Sequence, residues 1–197
     1  SRAEIMTGCD GFRNRVGVFG SIMNPDLTRW ADCMRGAGYH AWYVGKWMND
    51  GKPTNRGYEE SDGLFASGGA RWMKPQVDHH GRPVTGYRGW VFQDDEGNKF
   101  PEKGVGLTPE IDKEFADATI RFIKRKPQEP FFLHVNFTAP HDPLLMPPGY
   151  EGRYDPEKMP LPPNFLPRHP FDHGNFNGRD ELLLPWPRTS KDVREDL

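Results

Sequence analysis

Two short stretches of this 197-residue chain hold residue types suited to anion and proton chemistry. Gly45-Lys46-Trp47-Met48-Asn49-Asp50 places a lysine at the end of an apolar run, and Thr138-Ala139-Pro140-His141-Asp142-Pro143 places a histidine between two prolines. A lysine supplies a fixed positive charge for an anion, and a histidine moves a proton near neutral pH. Pro140 and Pro143 stiffen the loop around His141 and lower the entropy cost of holding it. Plainer roles stay open for both. A lysine at a strand end is most often a solvated charge, and a histidine between prolines is often a structural loop residue.

These residues need elements to position them. Residues 39–47, rich in aromatic and β-branched side chains, read as a strand that delivers Lys46 at its end. A helix precedes it over 28–35, with Thr28 as N-cap, an apolar stripe of Leu27, Ala31 and Met34, and Gly36 and Gly38 as stops. Residues 3–7 read as a helix end closed by Gly8 in a left-handed cap. The clearest helix spans 108–126. Thr108 can cap it, Pro109 fits its first position, and Ile111, Phe115, Ala118 and Phe122 recur at spacings of four, three and four. Pro127 stops it, and 131–137 follows as a strand that leads to His141. Its apolar residues fall on both faces, the pattern of a central strand covered on both sides. Two helix-then-strand units predict an α/β fold with a largely parallel sheet. Ligands collect beyond the carboxyl ends of such strands, so Lys46 and His141 are expected at one edge of the sheet.

The remaining chain is loop-rich. Gly (22) and Pro (20) are abundant and apolar residues make up 35 %, so long ordered connections are expected. The region 48–106 reads as a long loop with one short strand at 89–93 and a turn at Asp94-Asp95-Glu96-Gly97-Asn98. Its aromatics Trp72, Tyr87, Trp90 and Phe92, interspersed with Arg71, Arg82 and Arg88, could stack on sugars. A loop of this length also needs a small core of its own, and the packing reading is preferred. Residues 144–197 are Pro-rich, and 192–197 reads as the start of a further helix. A net charge of −2 gives no basis for nucleic-acid or membrane-surface binding, and no apolar run approaches a membrane span. Cys9 and Cys33 form no CxxC or metal-ligand spacing and read as buried thiols.

Three motifs together resemble the sulfatase family. Ser1-Arg2-Ala3 through Met6-Thr7-Gly8 resembles the segment after the cysteine of the C-x-P-S-R signature. Ala37-Gly38-Tyr39 through Gly45-Lys46-Trp47 resembles the A-G-Y…G-K-W segment. Pro130-Phe131-Phe132-Leu133 through Pro140-His141-Asp142-Pro143 resembles P-F-F-L…P-H-x-P. The resemblance implies an alkaline-phosphatase-like fold and a single catalytic domain over 1–197. Within it, 1–47 and 107–143 are the core α/β units, 48–106 the loop region and 144–197 an insertion. It implies an internal fragment, beginning just after the signature cysteine and incomplete at both ends. It also implies hydrolysis of the sulfate ester of a carbohydrate or aryl alcohol. In the family the cysteine is oxidised to formylglycine, whose hydrate attacks sulfur, and a divalent cation, usually calcium, holds the sulfate. By this resemblance Arg2 would orient the formylglycine, Lys46 would bind sulfate oxygens, and His141 would bind near the leaving-group oxygen and protonate it. Nucleophile and metal ligands would lie outside this stretch, so the fragment alone is expected to be inactive. A formylglycine-generating maturation system is an implied partner, and a periplasmic or secreted location is expected.

The pattern departs from the family at Met48. Many members carry a histidine directly after G-K-W, and methionine cannot accept a proton. His79 and His80, in the polar loop Gln76-Val77-Asp78-His79-His80-Gly81, are candidates to replace it, although adjacent histidines in such loops are usually just exposed. Phe171-Asp172-His173-Gly174 looks like the family's metal-binding D-H-G. It follows Pro167-Arg168-His169-Pro170, which cannot form a central strand, and is not taken as a metal site. Two other functions stay open: a phosphoryl or phosphonate monoester hydrolase of the same superfold, and a non-catalytic binder of anionic sugars.

Overall fold

Lys46 ends the central strand of a four-stranded mixed sheet. In the computed structural model, which describes residues 2–18, 20–84 and 86–197, the helices are α1 (Arg2–Thr7), α2 (Gly11–Asn14), α3 (Trp30–Gly36), α4 (Ile111–Lys124) and α5 (Ser190–Asp196). The strands are β1 (His40–Lys46), β2 (Glu60–Ser67), β3 (Gln76–Val77), β4 (Pro83–Val84), β5 (Trp90–Gln93) and β6 (Phe131–Asn136). The sheet order is β5-β2-β1-β6. β1 is parallel to both β2 and β6, and β5 is antiparallel to β2. The expected α/β class with a largely parallel sheet is what the chain forms.

The chain divides into two compact units, Ser1–Pro75 with Tyr87–Ala139 and Gln76–Gly86 with Pro140–Leu197. The sheet belongs to the first. On one face Ala41, Tyr43, Trp47 and Leu64 pack against Ala3 and Met6 of α1 and Ala31 of α3. On the other face α4 buries Ile111, Phe115, Ala118 and Phe122, the stripe predicted from their spacing. Trp42 stacks on Phe122 with centroids 4.8 Å apart, and Phe65 meets Phe115 at 6.2 Å. Four aromatic side chains buried this way contribute roughly 1.5–3 kcal/mol each. The second unit holds the β3–β4 hairpin and α5, which Thr189 caps by accepting from the Asp192 N–H at 3.1 Å.

Several details differ from the sequence reading. β2 lies inside the expected loop region 48–106. Its polar opening, Glu-Ser-Asp-Gly, hides the strand, because Asp62 pairs with Arg121 of α4 and Glu60 with Arg125, the residue just after it. β6 ends the sheet order among the described residues and is not doubly covered, with Phe131 38 % and Phe137 43 % exposed. Both of its faces are used nonetheless: Phe132 packs on the α1/α3 side, and Phe137 meets Phe115 at 6.0 Å. Cys9 is half-buried and Cys33 exposed, both as free thiols, so neither is the buried thiol expected.

A β-bulge sets the geometry at the end of β1. Val44 pairs with Asp62 and Gly45 with Leu64, so Gly63 is the extra residue of β2. The bulge changes the parity of β2. Asp62 and Phe65, three residues apart, both face α4, whereas Leu64 joins the opposite core. Opposite the bulge, Gly45 has φ +98°, and a Cβ there would lie 2.1 Å from the Asn136 carbonyl oxygen. Gly45 therefore meets two constraints, a left-handed backbone and a close approach of β6. Gly38 has φ +86° with nothing within 4 Å of a Cβ, and so isolates the first constraint.

Buried polar groups tie β6 to the rest. Trp30 Nε1 donates to Tyr58 Oη at 2.9 Å, and Tyr58 Oη lies 2.6 Å from His134 Nδ1. With Trp30 already donating to Tyr58, the Tyr58 proton goes to Nδ1, which makes His134 a neutral acceptor. Burial pushes the His134 pKa down from 6.5 to about 4; the Asn136 side chain opposes the shift and Arg2 adds to it.

Two predictions follow from these contacts. Gly45→Ala should destabilise the protein by at least about 3 kcal/mol, and Gly38→Ala by about 1 kcal/mol. Equal denaturant midpoints for the two variants would refute the clash at Asn136. His134 has a folded pKa below its unfolded one, so its contribution is present above pH 6.5 and is lost as pH falls toward 4. The loss amounts to at most about 3 kcal/mol. Urea unfolding at pH 7.5, 5.5 and 4.5 should show a steeper acid loss for wild type than for His134→Gln; parallel slopes would remove His134 from the acid response.

Candidate functional site

Lys46 is placed by three features: the parallel pairing of β1, the Gly45 backbone beside it, and an aromatic bay over its side chain. It is 1 % exposed. Its Nζ donates to Tyr87 Oη at the edge of that ring, 4.5 Å from the ring centroid, and lies 6.0 Å from the centroid of Trp90. Tyr87 reaches this position with φ +61°, an uncommon value for a residue with a side chain. Phe65 lies between Tyr87 and Phe92 at centroid distances of 6.5 and 5.1 Å. Lys46 is thus a desolvated ammonium held by a phenol oxygen, unlike the solvated lysine usual at a strand end.

A cleft of about 710 Å³ opens beside the carboxyl ends of β1 and β2. Arg2, Trp47, Met48, Asn49, Trp90 and Gln93 contribute to its walls. Arg2 projects from the first turn of α1. Its Nε is buried and, among the described residues, has no hydrogen-bond partner. An oxygen-bearing group beside α1 would supply that partner, so the fit to an oxygen-rich neighbour such as a formylglycine hydrate is good at Arg2. Ser1, the first residue of the signature segment, lies outside the described residues. Met48 is 37 % exposed on the same cleft. Asn49 does not act as a base here; its amide points at Met6 Sδ, 3.4 Å away.

His141 belongs to the second unit. It is 38 % exposed, and its Nδ1 lies 2.7 Å from the Asp142 carbonyl oxygen and 2.8 Å from Asp142 Oδ1. Both neighbours are acceptors, so Nδ1 carries a proton. His141 lines a cavity of about 570 Å³ with Asp78, Arg82, Asp142, Leu144 and Asp196. His79 and His80 also lie in this unit; both are exposed, as expected, and their Nε2 atoms lie 3.8 and 3.5 Å from Asp196 Oδ1. The Asp172-His173-Gly174 segment has no strand before it among the described residues, and Asp172 Oδ1 accepts from the Gly174 N–H at 2.7 Å.

The convergent His, Asp and Glu groups among the described residues do not fit calcium. That ion takes about six to eight oxygen ligands. The two convergent ligand groups are His79, His80 with Asp196 and His169, His173 with Glu181, each two imidazoles and one carboxylate. The sequence reading missed Tyr87 as the partner of Lys46. The two are 41 positions apart, joined only through the pairing of β2 with β5, and no local signal marks them. The preference for packing over sugar stacking is borne out: Tyr87, Trp90 and Phe92 are buried around Phe65.

Comparison with known proteins places this geometry. A family model described as Sulfatase matches residues 1–175. A curated relative, the multifunctional alkaline phosphatase superfamily protein PehA of Trinickia caryophylli, is 33 % identical over 100 residues, covering 40 % of this chain and 19 % of the relative. The PsFucS1 sulfatase from Pseudoalteromonas sp. superposes with a TM-score of 0.53 at 18 % identity, over 78 % of this chain and 36 % of its own. BT4656, solved with D-glucosamine-2-N,6-O-disulfate, superposes with a TM-score of 0.55 at 23 % identity, over 83 % of this chain and 29 % of its own. The chain therefore spans about a third of the length of these solved structures and about a fifth of the curated relative. The structural likenesses show the alkaline-phosphatase-like fold, and the match over residues 1–175 shows that the chain belongs to the sulfatase family.

Proposed function

We propose that the whole protein hydrolyses the sulfate ester of a sulfated carbohydrate, and that this chain supplies the charge-neutralising and proton-transfer groups. The observation that carries the proposal is Lys46, buried at the carboxyl end of a parallel strand within a chain of the sulfatase family. A desolvated ammonium stabilises developing negative charge more strongly than a solvated one, because no water screens it. Lys46 offsets charge on the sulfate oxygens. His141, its ring oriented through Nδ1 by Asp142, acts as the imidazolium, giving its Nε2 proton to the leaving-group oxygen and remaining as the neutral Nδ1–H ring. Arg2 orients a formylglycine whose hydrate supplies the nucleophilic oxygen; its rigid, always charged fork suits that task. A calcium ion, where present, would take its oxygen ligands from outside the described residues.

A sugar is the substrate class to test first. Polar side chains, Asn55, Ser67 and Gln93 among them, line the cleft and suit the hydroxyls of a sugar. The sulfated glucosamine bound by one structural relative belongs to the same class. The same reading places the mature protein in the periplasm or outside the cell, after processing by a formylglycine-generating system. Among the described residues no helix is long and apolar enough to cross a membrane.

In the whole protein, Lys46→Ala and His141→Ala should each lower turnover of a sulfated monosaccharide at least about a hundredfold, the scale of a lost transition-state contact. A near-normal rate in either variant would sink the role given to that residue. Faster cleavage of a phosphonate monoester than of any sulfate ester would overturn the substrate class. Met48→His places an imidazole on the cleft wall, and single-turnover and steady-state rates should show faster turnover. Unchanged or slower turnover would show that Met48 is no handicap.

A further inference from the structure

We propose that His79, His80 and Asp196 form a binding site for a divalent transition metal of the zinc class, independent of the sulfate-ester chemistry proposed above. His79 Nε2 and His80 Nε2 lie 3.8 and 3.5 Å from the same oxygen, Asp196 Oδ1. All three ligand atoms fall within 4.8 Å of one another. A tetrahedral zinc with ligands at about 2.0–2.1 Å holds neighbouring ligand atoms roughly 3.3 Å apart. The site thus needs a contraction of a few tenths of an ångström along each of these two edges. Two imidazoles and one carboxylate suit zinc, nickel or copper, whereas calcium and magnesium call for oxygen.

The surroundings support metal ligation. His79 Nδ1 lies 3.1 Å from the Leu144 carbonyl oxygen, which can only accept. Nδ1 therefore carries the ring proton, and the Nε2 lone pair faces Asp196. A backbone carbonyl fixing the tautomer of a ligating histidine is the usual outer-shell arrangement. Arg82 is the nearby cation. Its Nη2 lies 3.0 Å from both Asp196 oxygens. Its Nε donates to Asp78 Oδ2 at 2.5 Å, so the row Asp78–Arg82–Asp196 keeps one net negative charge for an incoming cation. Each carboxylate oxygen has two lone pairs, and Arg82 takes one.

The second group, His169, His173 and Glu181, is less suited. Its two imidazoles face different carboxylate oxygens, at 3.7 and 3.8 Å, whereas His79 and His80 face the same one. The bound ion would join the loop after β3 to the end of α5, two segments more than a hundred positions apart in sequence and now linked through Arg82. Metal binding should then raise the melting temperature, since a ligand for the folded state alone stabilises it.

The test is calorimetric titration of the chelator-treated chain with zinc chloride, beside His79→Gln, His80→Gln, Asp196→Asn and the control His169→Gln. Wild type and His169→Gln should bind one zinc per chain, with a rise in melting temperature and, with cobalt instead, the intense visible bands of tetrahedral coordination. Each of the other three variants should weaken binding by about a hundredfold or more, the upper end of the loss for an outer-shell partner. His79→Gln and His80→Gln leave the Arg82–Asp196 pair in place, so their metal-free melting temperatures should match wild type. Absence of zinc binding in wild type overturns the site, as does binding that only His169→Gln weakens or that all four variants retain.

Discussion

Residue 45 must have no side chain, and the carboxyl edge of the sheet is built around that requirement. β6 approaches β1 so closely there that any Cβ would meet the Asn136 carbonyl. The bulge at Gly63 on the opposite flank changes the parity of β2 while β1 keeps its own alternation. Trp42, Val44 and Lys46 therefore stay on the α4 side, and Tyr43 and Trp47 stay in the opposite core. Without the bulge, Asp62 and Phe65 could not both face α4, and Phe65 is the floor of the bay that holds Tyr87 against Lys46. One glycine on each strand thus connects sheet register to the placement of a charge.

The same edge concentrates buried polar groups, each costly unless paired. Tyr43 Oη donates to the Lys46 carbonyl and accepts from Asn136 Nδ2 at 2.6 Å. Tyr58 links Trp30 to His134. Burial raises the phenol pKa of both tyrosines, so they stay protonated and available as donors. These bonds join β1, β6, α3 and the turn before β2. A paired polar group fixes direction as well as distance, so the network sets the register between β1 and β6 more narrowly than apolar packing alone would. Its acid sensitivity is a consequence of using a neutral histidine at its centre.

The sequence made the periodic parts legible. Ile111, Phe115, Ala118 and Phe122 announce α4 because a helix one face of which is buried must repeat near 3.6 residues. β1 is readable from its aromatic and β-branched content, and Lys46 from its place at the end of that run. The start of α4 is misjudged, since Thr108 and Pro109 precede a tight turn in which Ile111 N–H bonds the Thr108 carbonyl at 3.2 Å. β2 is invisible because its first residues serve arginines at the end of α4 and just after it, and pattern rules count such acids as loop. The bay around Lys46 depends on strand order and on the left-handed backbone at Tyr87, neither of which leaves a periodic trace. His79 and His80 are visible as a pair, but Asp196 lies 116 positions beyond His80 and only the tertiary fold brings it to them.

Lys46 and His141 are held by different physics, and this bears on what each can do. Lys46 is fixed by non-local structure: a bulged parallel strand beneath it and two aromatic rings from the far side of the sheet. Moving it requires breaking sheet or aromatic packing, so it suits a fixed charge that must not reorganise during reaction. His141 is held in part by the carbonyl and carboxylate of the residue that follows it, and more than a third of its side chain is exposed. A ring on a short, proline-bounded loop is less constrained by packing than a side chain buried at the end of a sheet strand. On the proposed function, the rigid site holds the fixed charge and the proline-bounded loop holds the proton-transfer group.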